Sequence, residues 1–223
     1  MHAAVAPFAA AAFITPMAAV AGSVAEEILG AMLAVAPLDR AYVNNGGDIA
    51  LHLAGDERFT VGLMDRPDRL GAMRTIDIDA DDPVRGIATS GRHGRSFSLG
   101  IADAVTVLAR TASQADAAAT IIANAVDLPG HPAVIRCPAN ELQPDSDLGT
   151  RLVTCDVGAL GVSEIDDALR AGVSRAQQLL AAGLIEGAAL RLLGETAVVG
   201  STGIKASALP AFRGSAPAGL ARV

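Results

Sequence analysis

The sequence predicts an α+β fold in which mainly antiparallel sheets pack against helices. Two turn signals, Asn44-Asn45-Gly46-Gly47 and Gly194-Glu195, sit between alternating apolar segments, and such turns join antiparallel neighbours. Helical patterns are inserted between hairpins as long crossings and do not alternate strictly with single strands, which argues against a doubly wound parallel sheet. The helix–hairpin pattern occurs twice along the chain, as a diverged internal duplication would produce.

Taken in order, Ala3–Phe13 reads as a short apolar helix or lead-in, closed by Thr15-Pro16. Pro16 suits a first helical turn with Thr15 as N-cap, and a helix follows over Met17–Val35. Gly22 and neighbouring alanines leave one face of it bare enough for close approach. Glu26 and Glu27 are its only charges and read equally as a solvated pair. Strands follow over Arg40–Asn45, Asp48–Leu53, Arg58–Leu63 and Arg74–Asp79, with a Pro/Asp/Arg-rich connection before the last. Asp77, Asp79, Asp81 and Asp82 lack the spacing of a calcium loop and read as a solvated acidic loop.

Gly86–Thr89 is a short strand into a Ser90-Gly91 turn, followed by a basic loop, Arg92-His93-Gly94-Arg95, suited to an anionic ligand. Ser96–Gly100 is extended and Ala104–Arg110 a buried strand. Ser113 is expected to cap a helix over Asp116–Val126, with Asp116 at N3, where a carboxylate has a plain capping role. Arg151–Val157 is a strand burying Cys155, and Ser163 begins an amphipathic helix ended by Gly183. A hairpin over Gly187–Leu193 and Thr196–Gly200 completes one domain over residues 1–200. The Ala/Pro/Gly/Ser/Arg stretch 201–223 reads as a disordered tail.

Composition narrows the function. With 51% apolar residues, many of them Ala, no Trp and a single Tyr, the 223-residue chain should build its core from Ala, Val, Leu and Ile with close helix approaches. A net charge of −7 argues against a nucleic-acid surface, which needs clustered Lys and Arg. Cys137 and Cys155 form no C-x-x-C and are expected as free thiols in a reducing cytoplasm. No run of 18 strongly apolar, uncharged residues free of Pro occurs, so no membrane span is expected and the chain reads as cytoplasmic. Ala-rich helix faces suit a homo-oligomer. P-loop, G-x-G-x-x-G, G-x-S-x-G and H-E-x-x-H motifs are absent. What remains is Asp116 and Thr120, four apart on one helical face, two hard oxygen donors suited to a hydrated Mg²⁺. The Asn44–Gly47 turn beside Asp48 is either a hairpin turn alone or a place where bare amides meet a ligand.

The ordered set Y-V-N-N-G-G-D-I (42–49), I-A-T-S-G (87–91), V-T-V-L-A (105–109) and A-D-A-A-A-T (115–120) resembles the ApbE flavin-transferase superfamily, and more closely a shorter ApbE-like branch. The likeness extends through P-M-A-A-V-A-G-S-V-A (16–25), S-F-S-L-G-I-A-D-A (96–104) and P-D-S-D-L-G (144–149), so it covers about residues 14–160. It implies a two-lobed fold of duplicated T-fold-like units, with the N-terminal part incomplete here, and an interlobe cleft holding FAD or FMN with Mg²⁺. Asp116 and Thr120 match the metal ligands, with a backbone carbonyl near Val20. Gly22, Glu26, Gly46, Gly47, Asp48, Thr89, Ser90 and Gly91 match the cofactor-binding positions.

The implied chemistry is Mg²⁺-dependent FMN transfer to an acceptor protein, or FAD hydrolysis. Three departures separate this chain from the transferase pattern. In K-G-x-x-x-D the Lys position is Ala21 and the Asp position is Glu26, and the segment after T-S-G is shortened to Arg95–Asp103, without its His. These departures favour the alternative of a non-catalytic cofactor-binding or maturation partner.

Overall fold

The computed structural model describes residues 1–63, 74–200 and 204–205; the connection 64–73 and most of the expected tail lie outside them. In chain order the elements are α1 (His2–Ala9), a 3₁₀ turn (Pro16–Ala19), α2 (Val20–Val35), β1 (Arg40–Asn45), β2 (Asp48–Leu53), β3 (Arg58–Leu63), β4 (Arg74–Asp79), β5 (Gly86–Ser90), β6 (Ala104–Ala109), α3 (Ala112–Ala125), β7 (Val134–Pro138), α4 (Ala139–Leu142), β8 (Leu152–Val157), α5 (Val162–Ala181), β9 (Gly187–Leu192), β10 (Glu195–Val199) and β11 (Ile204–Lys205). The class is α+β, and the strand pairings are antiparallel.

The main sheet runs β1-β2-β5-β6-β9-β10. A hairpin stands at each edge, and each is preceded by a helix, α2 before β1–β2 and α5 before β9–β10. The first hairpin closes on Asn45↔Asp48 around Gly46 and Gly47, whose φ values of 72° and 111° demand glycine. Alternation along the strands sorts the core onto two faces. Ala50, Ala88, Val105, Val107 and Leu190 face the helices, while Leu51, Leu53, Ile87 and Leu108 face a second sheet of β11, β4 and β3. Those small side chains at positions 50 and 88 let the helical layer sit close.

That layer is centred on α3, which packs against α1, α2, α5 and the middle strands β5 and β6. A helix touched on so many sides must be narrow, and Ala115, Ala117, Ala118, Ala119 and Ala123 are fully buried. Beyond its first turn its polar residues fall on one stripe, Asp116, Thr120 and Asn124, spaced i, i+4, i+8. The amphipathic α5 buries Ile165, Ala168, Leu169, Gly172, Ala176 and Leu179, and Gly183 (φ 68°) ends it.

Several sequence expectations are corrected at helix ends. The helix expected from Met17 opens as a 3₁₀ turn, with α-geometry only from Val20. Thr15 makes no side-chain cap bond there; its hydroxyl donates to the Asp147 carboxylate. α3 starts at Ala112 with Thr111 as N-cap, accepting from the Gln114 N–H at 3.2 Å, so Ser113 lies inside the helix, N3 is Gln114, and Asp116 stands in the second turn. Gly161, not Ser163, is the N-cap of α5, with the Glu164 carboxylate accepting its N–H at 2.6 Å. Ser96–Gly100 forms no strand. Asp77 and Asp79 lie on β4, where Asp79 pairs with Arg58 and Asp77 accepts from the Thr60 hydroxyl.

The cysteines are also not free: Cys137 and Cys155 are joined across β7 and β8, and Cys155 is exposed. Within the expected tail, Ile204–Lys205 pairs with β4. By length and composition Pro16–Val35, which includes Pro16, Glu26 and Glu27, is long and apolar enough to cross a membrane, with mean hydropathy 1.6. One side of it packs on α3 and the first hairpin; the other leaves Met17, Val24 and Ile28 exposed.

The α2–α3 crossing depends on Gly22, where an added Cβ would lie 2.4 Å from the Ala112 carbonyl oxygen. Backbone cannot yield as a flexible side chain does. Gly22→Ala is therefore expected to lower unfolding free energy by about 2 kcal/mol, seen as a lower urea midpoint with an unchanged slope. Gly30→Ala, into open space on the same helix, should be neutral or stabilising.

Candidate functional site

The site grows out of the α2–α3 crossing. The first turn of α2 has no side-chain cap of its own, which leaves backbone N–H groups needing acceptors. The Asp116 carboxylate on α3 supplies one: its Oδ2 accepts the Gly22 N–H at 3.0 Å, and the Ala21 N–H also bonds to it. The favour is returned by Glu26 on α2, which accepts the Ser113 N–H at 2.7 Å and the Ser113 hydroxyl at 3.0 Å. Each helix thus caps the other with a carboxylate.

Asp48, the first residue of β2, brings a second carboxylate up to Asp116. Its Oδ1 accepts the Thr89 N–H at 3.3 Å, linking it to β5. Burial pushes Asp48 up to about 6, against the Thr89 N–H and the Arg95 guanidinium, which pull it down. Burial and then the Asp48 charge push Asp116 up to about 7, against the Gly22 and Ala21 N–H groups. Two half-buried carboxylates, both raised by burial and one of them further by the charge of the other, form a pair with strong electrostatic demand for a cation.

The pair lies in a cleft of about 850 Å³, inside the size range of small-molecule and cofactor sites. Thr120 and Asn124 continue the α3 stripe along it, and Asn124 Oδ1 accepts the Leu99 N–H at 2.9 Å. One wall is Thr89, Ser90 and Gly91 with the basic loop; the outer wall is the α4–β8 loop, with Asp145, Ser146 and Asp147. Arg92 is spent on Asp103 at 2.6 Å, and His93 is 3.3 Å from the same carboxylate. Arg95 lies over Gly46, where a Cβ would come within 2.4 Å of its guanidinium. The cleft floor is therefore acidic, with Arg95 as the cation beside it.

Of the residues singled out from sequence, Gly46, Asp48, Thr89, Ser90, Gly91, Asp116 and Thr120 line one cleft. Gly22 stands behind it as an N–H donor to Asp116. Gly47 completes the turn without lining the cleft, and Glu26 points to the α3 N-terminus, so its role is capping. Sequence reasoning missed the pairing of Asp48 with Asp116, and also Asn124, whose i+8 position from Asp116 was a legible signal. Of the aromatics, Phe97 and Phe13 line the cleft, while Tyr42 and Phe59 pack edge-to-face on each other, 5.9 Å between centroids. Among the described residues no three His, Cys, Asp or Glu side chains converge as a metal cluster. A cation here would draw on two carboxylates and neutral oxygens, a donor set that fits Mg²⁺.

The chain matches the profile of the family described as AbpE bacteria over residues 1–198. Among curated relatives, a UPF0280 protein of Archaeoglobus fulgidus is 40% identical over 113 residues, covering 51% of this chain and 45% of that protein. A UPF0280 protein of Methanothrix thermoacetophila is 40% identical over 114 residues, 51% of this chain and 46% of the relative. One from Methanococcoides burtonii is 39% identical over 130 residues, 54% and 49% respectively. The chain thus spans about half the length of the curated relatives it matches.

A carboxyl whose folded pKa lies above its unfolded value takes up protons on folding. Its stabilising contribution is present below about pH 4 and is lost as pH rises towards 7. Asp116→Asn keeps an oxygen for the Gly22 N–H and removes the charge. With chelator present, that variant should exceed the parent in stability by about 2 kcal/mol at pH 8 and match it near pH 4. Thermal melts across that range check both the sign and the window.

Proposed function

The chain belongs to the AbpE bacteria family, and from that premise we propose that its cleft binds a flavin diphosphate cofactor, FAD first, through Mg²⁺ held by Asp116 and Asp48. The observation that carries this reading is the convergence of two half-buried carboxylates with Thr120 on one acidic cleft. An anionic ligand is repelled by such a floor unless a divalent cation lies between, and a diphosphate is the ligand class that cation recruits. The ApbE-like motifs, and the size of the cleft, point the same way.

The chain's residues divide the work. Asp116 and Asp48 hold the cation, with Thr120 adding a neutral oxygen. Arg95 meets a phosphate oxygen at the rim, the Thr89–Gly91 turn and Gly46 position the ligand, and Phe97 offers a ring face. Bound Mg²⁺ supplies charge neutralisation at the diphosphate. A second reading, cofactor binding without turnover, is favoured by one observation. The imidazole beside the cleft, His93, is engaged by Asp103, and the Lys and His of the transferase pattern are absent.

Calorimetric titration with FAD, with and without Mg²⁺, tests the reading. Binding is expected only with Mg²⁺, weakening from pH 8 to pH 5 as protons compete for the two carboxylates. Asp116→Asn should cost at least about tenfold in affinity and Thr120→Val several-fold, in line with the loss of one metal ligand. FAD affinity that ignores both Mg²⁺ and Asp116→Asn would sink the metal assignment. Mass spectrometry for FMN release, or for FMN attached to an added Thr-bearing acceptor, separates turnover from binding alone.

A further inference from the structure

The outer wall of the cleft is held by a covalent tie outside the carboxylate site. β7 and β8 form a separate two-stranded sheet, and between them runs the loop whose tip, Gln143, Asp145, Ser146 and Asp147, faces the cleft. A strand pair alone is marginally stable in water, and this one leans on the body of the protein through the Thr154 N–H to the Ser98 carbonyl at 2.8 Å and Arg136 to Leu99 and Asp127. This one is further weakened by a bulge: Ile135 pairs with Asp156 and Arg136 with Thr154, so Cys155 is the extra residue with no partner across the ladder. The Cys137–Cys155 bond closes the base of the loop at that point, with Cα atoms 6.3 Å apart, inside the ordinary disulfide range. Beyond it the loop is held only by hydrogen bonds: backbone bonds that include Ala139 N–H to the Arg151 carbonyl and Asn140 N–H to the Gly149 carbonyl, both at 2.9 Å, and Gly149 N–H to the Ser146 carbonyl at 3.1 Å, with Thr15 on Asp147. Cys155 is exposed and Cys137 half-buried.

We propose that Cys137 and Cys155 form a redox-modification site, exchanged by a dithiol reductant, whose oxidation state sets the rigidity of the outer cleft wall. A thiolate of the dithiol attacks the exposed Cys155 Sγ, and Cys137 Sγ leaves as a thiolate and takes up a proton. The second thiol of the reductant then attacks the mixed disulfide and releases Cys155. Two electrons and two protons pass to the protein, and the reductant leaves as its own disulfide. Reduction removes the tie at the bulge, and the loop carrying Asp145–Asp147 is left to its hydrogen bonds alone. The inference concerns the wall itself and stands whatever ligand the cleft takes.

The test compares the air-oxidised full chain with the same protein in dithiothreitol, without denaturant. Mass-tagged maleimide should find two new thiols after reduction. Hydrogen exchange at Asn140 and Gly149 should speed at least tenfold while α3 amides keep their protection. Cys155→Ser should show the same local acceleration with no reductant. The inference is overturned by any of three results: thiols already free in the oxidised protein, a disulfide reduced only on unfolding, or exchange in 139–151 unchanged within twofold. Loss of protection in α3 as well would also overturn it, since the bond would then support the whole fold and not the wall.

Discussion

The structure depends on the crossing of α2 and α3 at Gly22. Helix ends carry backbone groups that must be satisfied, and neither α2 nor α3 satisfies its own first turn fully. They exchange carboxylates instead: Asp116 takes N–H groups of α2, and Glu26 takes the Ser113 N–H of α3. Such an exchange requires near-contact of the two backbones, which only a residue without Cβ allows. Once α2 is fixed on α3, the β1–β2 hairpin packed beneath α2 is fixed as well, and Asp48 comes with it.

This arrangement places a cost where the function is proposed to lie. A carboxylate that caps a helix is normally stabilised by the N–H groups and has a low pKa. Asp116 is held by two such N–H groups and still stands at about 7, because burial and Asp48 outweigh them. The fold thus tolerates two carboxylates whose ionisation works against the folded state at neutral pH. Structural need explains Asp116 through two N–H groups, whereas Asp48 has one, the Thr89 N–H at 3.3 Å. The proposed cation would give both a single rationale.

Strand identities were legible in the sequence because burial in this protein follows local period. Along the strands from Arg40–Asn45 to Ala104–Ala109 successive side chains alternate between the two faces of a sheet, at least one of which meets an apolar layer, and the Asn-Asn-Gly-Gly turn fixes its hairpin through positive φ. Helix starts were less legible. Ser113 looked like a cap by local pattern, yet Thr111 holds that place and a side chain 87 residues away takes the Ser113 N–H. Likewise Asp147 engages Thr15 over 132 residues. The cysteines looked unpaired because strand pairing across a bulge, which brings them within reach, leaves no mark on their spacing.

By itself the sequence determined the α+β class, the hairpins, an Ala-built core and a helix presenting Asp116 and Thr120 on one face, since each follows from local period, turn chemistry and side-chain size. Only the tertiary structure decided that Asp48 stands beside Asp116, that Glu26 serves a helix end and not the cleft, and that Cys137 meets Cys155. Those are contacts between residues distant in the chain. Charge, burial and reach act through space, and a pair's meaning exists only once packing has brought its two members together.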